Sequence, residues 1–263
     1  MGLSGDAVAA PDPITYLDAA ARAARIIASD YKTRFVEMLD LLDGQVVVDL
    51  GCGPGTDLVR LADAVGGRGL VIGLDRDPIM LAEARRRTIA QPRIILQTGD
   101  LHTLPLADAS VDRARTDRVL QHVADPTRAL AEARRVLRRG GVLGMAEPDW
   151  DTLTVADPDV TTSRRFARFV AEHQVRNASI GRLLPRLSTQ AGFTLGSIEP
   201  IAVCFQDFAT ADLILGLRRN AARAVEAGQL AEADAIPWLD RLQKAMPFVA
   251  GFTFYLVTAR ASN

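Results

Sequence analysis

The residues best placed to do chemistry in this chain are an acid and three glycines in residues 46–57, VVVDLGCGPGTD. Asp49 stands near the end of a β-branched run, and Gly51, Gly53 and Gly55 follow at alternate positions before a helical pattern begins. Glycines so placed let a strand turn tightly into a helix and let the backbone come close to a ligand at the helix N-terminus. The dinucleotide fingerprint G-x-G-x-x-G does not fit, because its third glycine would fall at Thr56. Asp49 would also repel a pyrophosphate, and suits a ligand carrying an ammonium group. Asp75 closes the next apolar run, where an acid takes ribose hydroxyls, and Asp100 follows the third, where it can accept from an adenine amino group.

A second group follows the fourth run, TDRVLQH at residues 116–122. His122 is the imidazole closest to a strand end in this half, so it is the candidate general base for a hydroxyl, amine or indole-like proton. The bland alternative is a packing histidine. Glu147 and Asp149, just past the fifth run, are candidates to orient or assist it, with Asp149 favoured because Pro148 can turn it past the strand end. His102 and His173 are weaker candidates, and three histidines so scattered make no metal-ligand spacing.

These residues need elements to hold them. Buried strands are expected at residues 45–50, 70–75, 93–97, 111–116 and 142–147, with the fourth the weakest. Helices fall between them: Asp77 with Pro78 starts one, and Asp125 with Pro126 starts another that Gly140 and Gly141 should stop. Strands recurring with helical crossovers specify an α/β fold, a doubly wound parallel sheet. Residues 1–42 read as a tail and a helical lid, 43–149 as the ligand-binding core, 150–190 as a helical insertion, and 191–263 as the remainder of the sheet with a helical cap. Tyr16, near the start of the first helix, is expected to close over the ligand. Phe166, Phe169, Trp150, Trp238, Phe208 and Phe248 lie in the helical segments, where they line a pocket or form plain core.

Composition narrows the partners. The 31 basic and 32 acidic residues give a net charge of −1, without the positive field of a nucleic-acid or anionic-membrane binder. No run approaches the roughly 18 apolar residues of a membrane span, and no basic region opens the chain, so a cytoplasmic location is expected. Lysine occurs only at Lys32 and Lys244 against 29 arginines, a bias that inflates every apparent arginine patch.

Together, VVVDLGCGPG, Asp75 and the Asp100–Leu101 pair resemble the class I S-adenosylmethionine-dependent methyltransferases, in particular the small-molecule group that includes ubiquinone and menaquinone methyltransferases. The resemblance implies a seven-stranded Rossmann-like sheet and S-adenosylmethionine as cofactor. It implies that the glycine segment cradles the methionine part, Asp75 holds the ribose, and Asp100 and Leu101 flank the adenine opposite Arg76 and Ile79. It places Thr116 at the lip that holds the methionine backbone and opens the acceptor pocket. The expected activity is in-line methyl transfer to a small molecule, an apolar or aromatic natural-product intermediate; the alternative is a protein of the same fold that binds the cofactor without transferring its methyl. The tetrapeptide at 116–119, Thr-Asp-Arg-Val, differs from the D/N-P-P-aromatic motif of amino-group nucleic-acid methyltransferases. A homodimer is left open.

Overall fold

The computed structural model describes residues 12–18 and 31–262. Its sheet has seven strands: β1 (Val46–Leu50), β2 (Leu70–Asp75), β3 (Ile94–Thr98), β4 (Val111–Asp117), β5 (Leu137–Val155), β6 (Phe193–Phe205) and β7 (Ala250–Ala261), in the order β3-β2-β1-β4-β5-β7-β6. Pairings from β3 through β5 are parallel, as the alternating pattern requires. From residue 31 on, the α-helices are α1 (Tyr31–Met38), α2 (Leu58–Ala64), α3 (Pro78–Arg87), α4 (Pro126–Val136), α5 (Val160–Phe169), α6 (Ile180–Gln190), α7 (Phe208–Leu215), α8 (Leu217–Glu226) and α9 (Glu232–Lys244).

The chain divides into two compact units. The larger comprises Tyr31–Glu147, Ile180–Pro200 and Tyr255–Asn263. Strand residues alternate between its two faces. Val48, Leu50, Ala114 and Met145 share one apolar cluster with Leu130 of α4 and Leu184 of α6; Val47 and Val71 share the other with Leu39, Leu58 and Ala84. The expected helix starts hold: Asp77 Oδ1 accepts from the Ile79 amide at 2.8 Å and Asp125 Oδ1 from the Arg128 amide at 3.0 Å. The smaller unit comprises Met1–Asp30, Pro148–Ser179 and Ile201–Phe254. Its core is aromatic: Phe166 lies 5.0 Å from Trp238, and the Trp238 indole donates to Ser163 Oγ at 3.0 Å. Phe166, Trp238, Phe205 and Phe248 are buried, so these rings are packing rather than pocket lining.

Several boundaries differ from expectation. Tyr31, Phe35 and Leu39, in the segment 1–42 expected as tail and lid, are buried in the sheet-bearing unit. α4 ends at Val136, and Gly140 and Gly141 lie inside β5, with Gly140 at φ +77°. β5 runs on to Val155, so the segment 150–155 is strand, and the expected insertion 150–190 is shared: its part up to Ser179 belongs to the smaller unit and α6 to the larger. The helical cap expected within 191–263 comprises α7, α8 and α9, with Gly216 in the left-handed region at φ +62° between the first two. Of the expected first helix, residues 19–30 lie outside the described residues, while 13–18 are helical and hold a half-buried Tyr16.

Candidate functional site

Gly51, Gly53 and Gly55 have φ of +76°, +54° and +77°, a region unfavourable for residues with a Cβ. Gly51 has a second constraint, since a Cβ there would stand 2.5 Å from Val119 Cγ2. The Gly51 and Cys52 amides both donate to the Leu74 carbonyl, at 2.7 and 2.9 Å. Asp75 ties this turn to α3: its Oδ2 accepts from the Gly53 amide at 2.8 Å and its Oδ1 from the Asp77 amide at 2.9 Å. Each oxygen keeps acceptor capacity toward a ligand. Arg76 and Ile79 beside it are exposed, and Leu101 is buried.

Behind the turn lies a buried ionic cluster. Asp49, 4 % exposed, pairs across the β1–β4 register with Arg115, whose Nε is 3.5 Å from Asp49 Oδ1. Arg115 Nη2 donates to Asp57 Oδ2 at 3.1 Å and Asp117 Oδ2 at 2.9 Å. Lys32 of α1 donates to the same two oxygens at 2.5 and 2.9 Å, and the Tyr31 hydroxyl donates to Asp117 Oδ1 at 3.0 Å. Two cations face three carboxylates, which leaves one negative charge in excess. Burial pushes the Asp49 carboxyl up to about 6 against the pull of Arg115. Burial acts on Asp57 as well, but Arg115 and Lys32 hold it well below the usual carboxylate range. Lys32 is desolvated yet raised overall by Asp117, Tyr31 and Asp57, so it stays charged. Arg115 Nε and Thr116 Oγ1 are buried without a hydrogen-bond partner among the described residues.

The turn after β4 carries His122. Glu147, fully buried in β5, spends its carboxylate on that turn: Oε1 accepts from the Val119 and Leu120 amides at 2.8 and 2.6 Å, and Oε2 from the Gln121 amide at 3.3 Å. Its oxygens hold three amides of that turn in place. Burial raises it to about 8 even against those amides. His122 itself reaches the surface, and desolvation by its surroundings together with Arg118 and Arg76 lowers its pKa. Asp149 is fully buried in β5, in the residues of the smaller unit. Asp100 is exposed and bonded to the His102 amide and Nδ1, at 2.9 and 2.6 Å, while His102 Nε2 accepts from the Asp125 amide at 3.1 Å. His102 is therefore a structural bridge. No cluster of three metal-ligating side chains occurs among the described residues.

Sequence reasoning passed over Lys32, Tyr31, Asp57, Arg115 and Asp117 as a site. One signal was available: Lys32 is one of two lysines in a chain that otherwise uses arginine.

Residues 48–145, which hold the glycine turn, Asp75 and His122, match a family model described as a methyltransferase domain. The chain is also 52% identical over 254 residues to the uncharacterized 37.1 kDa protein in transposon TN4556 of Streptomyces fradiae, covering 97% of this chain and 73% of that one. The chain belongs to the class I S-adenosylmethionine-dependent methyltransferases. It is 32% identical over 123 residues to the demethylmenaquinone methyltransferase of Staphylococcus epidermidis, an alignment covering 47% of this methyltransferase and 51% of that one. The crystal structure of a SAM-dependent methyltransferase from Aquifex aeolicus has the same fold, with a TM-score of 0.60 at 15% identity, over 95% of this chain and 98% of the other. S-adenosylmethionine is the cofactor, and the site suits it on two counts: the buried cluster has a surplus carboxylate for an ammonium, and Arg115 Nε and Thr116 Oγ1 are buried without hydrogen-bond partners among the described residues.

Proposed function

We propose that this methyltransferase acts on an apolar or aromatic small molecule, with His122 as the proton acceptor where the substrate needs one. The observation that carries the reading is positional. Asp49 and Asp75 lie at the carboxyl ends of β1 and β2, and the turn bearing His122 follows that of β4; the three strands are adjacent and parallel, and such ends are where doubly wound sheets hold ligands. The similarity to demethylmenaquinone methyltransferase supports an acceptor of quinone-like, apolar chemistry.

When bound, the cofactor supplies a methyl group already activated on a sulfonium, so alignment and exclusion of water are what remains for the chain to provide. Asp49 would face the ammonium, the glycine turn the methionine part, Asp75 the ribose hydroxyls, and Leu101 and Ile79 the adenine. Thr116, Arg76 and Asp100 would line the same cleft. His122, with its charged form disfavoured, stands as the free base at neutral pH and takes the acceptor's proton at a ring nitrogen. Glu147 keeps the turn in place while it does so.

The test is mass spectrometry on purified protein with methyl-labelled S-adenosylmethionine and a panel of hydroxynaphthoquinones, phenols and indoles. A labelled methyl on one of these is the expected result. Conversion of a panel member without uptake of label would instead assign the cofactor an electrostatic role.

A further inference from the structure

The reaction so described leaves one group of buried charges without a part. Lys32 is their hub: its ammonium lies between Asp57 and Asp117, which come from the chain entering α2 and from the end of β4. Arg115 Nη2 bonds the same two oxygens. Without Lys32, one guanidinium would face three buried acids, and carboxylates crowded in that way take up protons or move apart. Either response would displace the wall against which the glycine turn is built. Lys32 thus adds from α1 a second cation to the two oxygens that the Arg115 guanidinium already bonds from β4.

We propose that Lys32 is a positioning residue for cofactor binding: it neutralises Asp57 and Asp117 in place, so that Asp49 is left as the acid available to the ammonium of S-adenosylmethionine. This rests on the assignment of the glycine turn and Asp49 to the cofactor. The charged and titratable groups bearing on Asp49 are Tyr31 and Lys32 from α1, Asp57 ahead of α2, and Arg115 and Asp117 from β4, with the Cys52 thiol close by in the turn.

Wild type, Lys32→Met and Lys32→Met/Asp57→Asn are titrated calorimetrically with S-adenosylhomocysteine from pH 5 to 9, with thermal melts alongside. Lys32→Met is expected to bind about tenfold more weakly or worse at pH 7.5, as a buried pair is broken. The pH at which its affinity is half lost should also move up by about one unit, because the remaining acids share fewer cations. The double variant removes one acid with the cation and should return to within about threefold of wild type; it carries the test alone if the single variant does not fold. Lys32→Met binding like wild type with an unchanged pH midpoint would overturn the proposal, and so would a double variant as weak as the single. Failure of wild type to bind at all is a separate outcome that overturns the cofactor assignment and the proposal together.

Discussion

At the scale of the residue, the roles proposed for Asp49 and His122 have opposite requirements. Asp49 is useful when charged, yet burial holds its carboxyl near 6. Affinity for S-adenosylhomocysteine is therefore expected to be constant above about pH 7 and to fall as pH drops through 6, where Asp49 takes up a proton. Asp49→Asn should abolish that step and weaken binding at pH 7.5 by about 1.5–3 kcal/mol, the worth of a hydrogen bond to a charged group. Isothermal calorimetry across pH reads both. His122 is useful when neutral, and its surroundings favour that state. His122→Ala is expected to lower kcat about 10²–10⁴-fold with cofactor affinity unchanged. A change under threefold from pH 6 to 9 would leave alignment alone as the source of the rate.

At the scale of the element, two turns are fitted to each other. Gly51 lies against Val119, and Val119 is held by the Glu147 carboxylate. Gly51→Ala is expected to cost about 1–3 kcal/mol for the left-handed backbone, with a further loss from the contact. Adding Val119→Ala should recover only the contact part, which chemical denaturation of the three variants would separate. Glu147→Ala strands the amides of residues 119–121 and should cost about 1–3 kcal/mol, with Glu147→Gln milder because one acceptor oxygen survives. Elements of this kind were legible where one short segment carries the whole signal: the β-branched run before Asp49, the alternate glycines, and the Asp-Pro helix starts at 77 and 125. β4 read weakly because Arg113 and Arg115 interrupt its apolar pattern. Arg113 turns out to donate to the Leu39 and Asp40 carbonyls, and Arg115 to the ionic cluster. That cluster was not legible, because its members are separated by up to 86 positions and meet only through the β1–β4 register and the packing of α1. The length of β5 was also hidden, since Pro148 and the acids after it look like a loop when read locally.

At the scale of the whole molecule, buried carboxyls set how stability varies with pH. Asp49 and Glu147 titrate near 6 and 8 when folded, against 3.8 and 4.5 ordinarily. Between those values the folded chain keeps protons that the unfolded chain has released, so their contribution falls as pH rises from about 4 to 8. Asp57 has the opposite sign: its contribution is present above 3.8 and is lost as pH falls toward its depressed folded value. The apo protein should therefore melt highest in mildly acidic buffer, and cofactor should raise the melting temperature more at pH 8 than at pH 5. A scanning-fluorimetry grid of pH against cofactor checks both, and a maximum at pH 8 without cofactor would contradict the assignment. The placement of Lys32 bears also on how the folded protein meets amine-reactive reagents. Of the two lysine side chains, Lys244 is 74% exposed, while Lys32 is enclosed and ion-paired. An acylating dye should mark Lys244 at once and reach Lys32 only when α1 leaves the sheet, which makes the label on Lys32, located by peptide mapping, a built-in clock for opening of that helix.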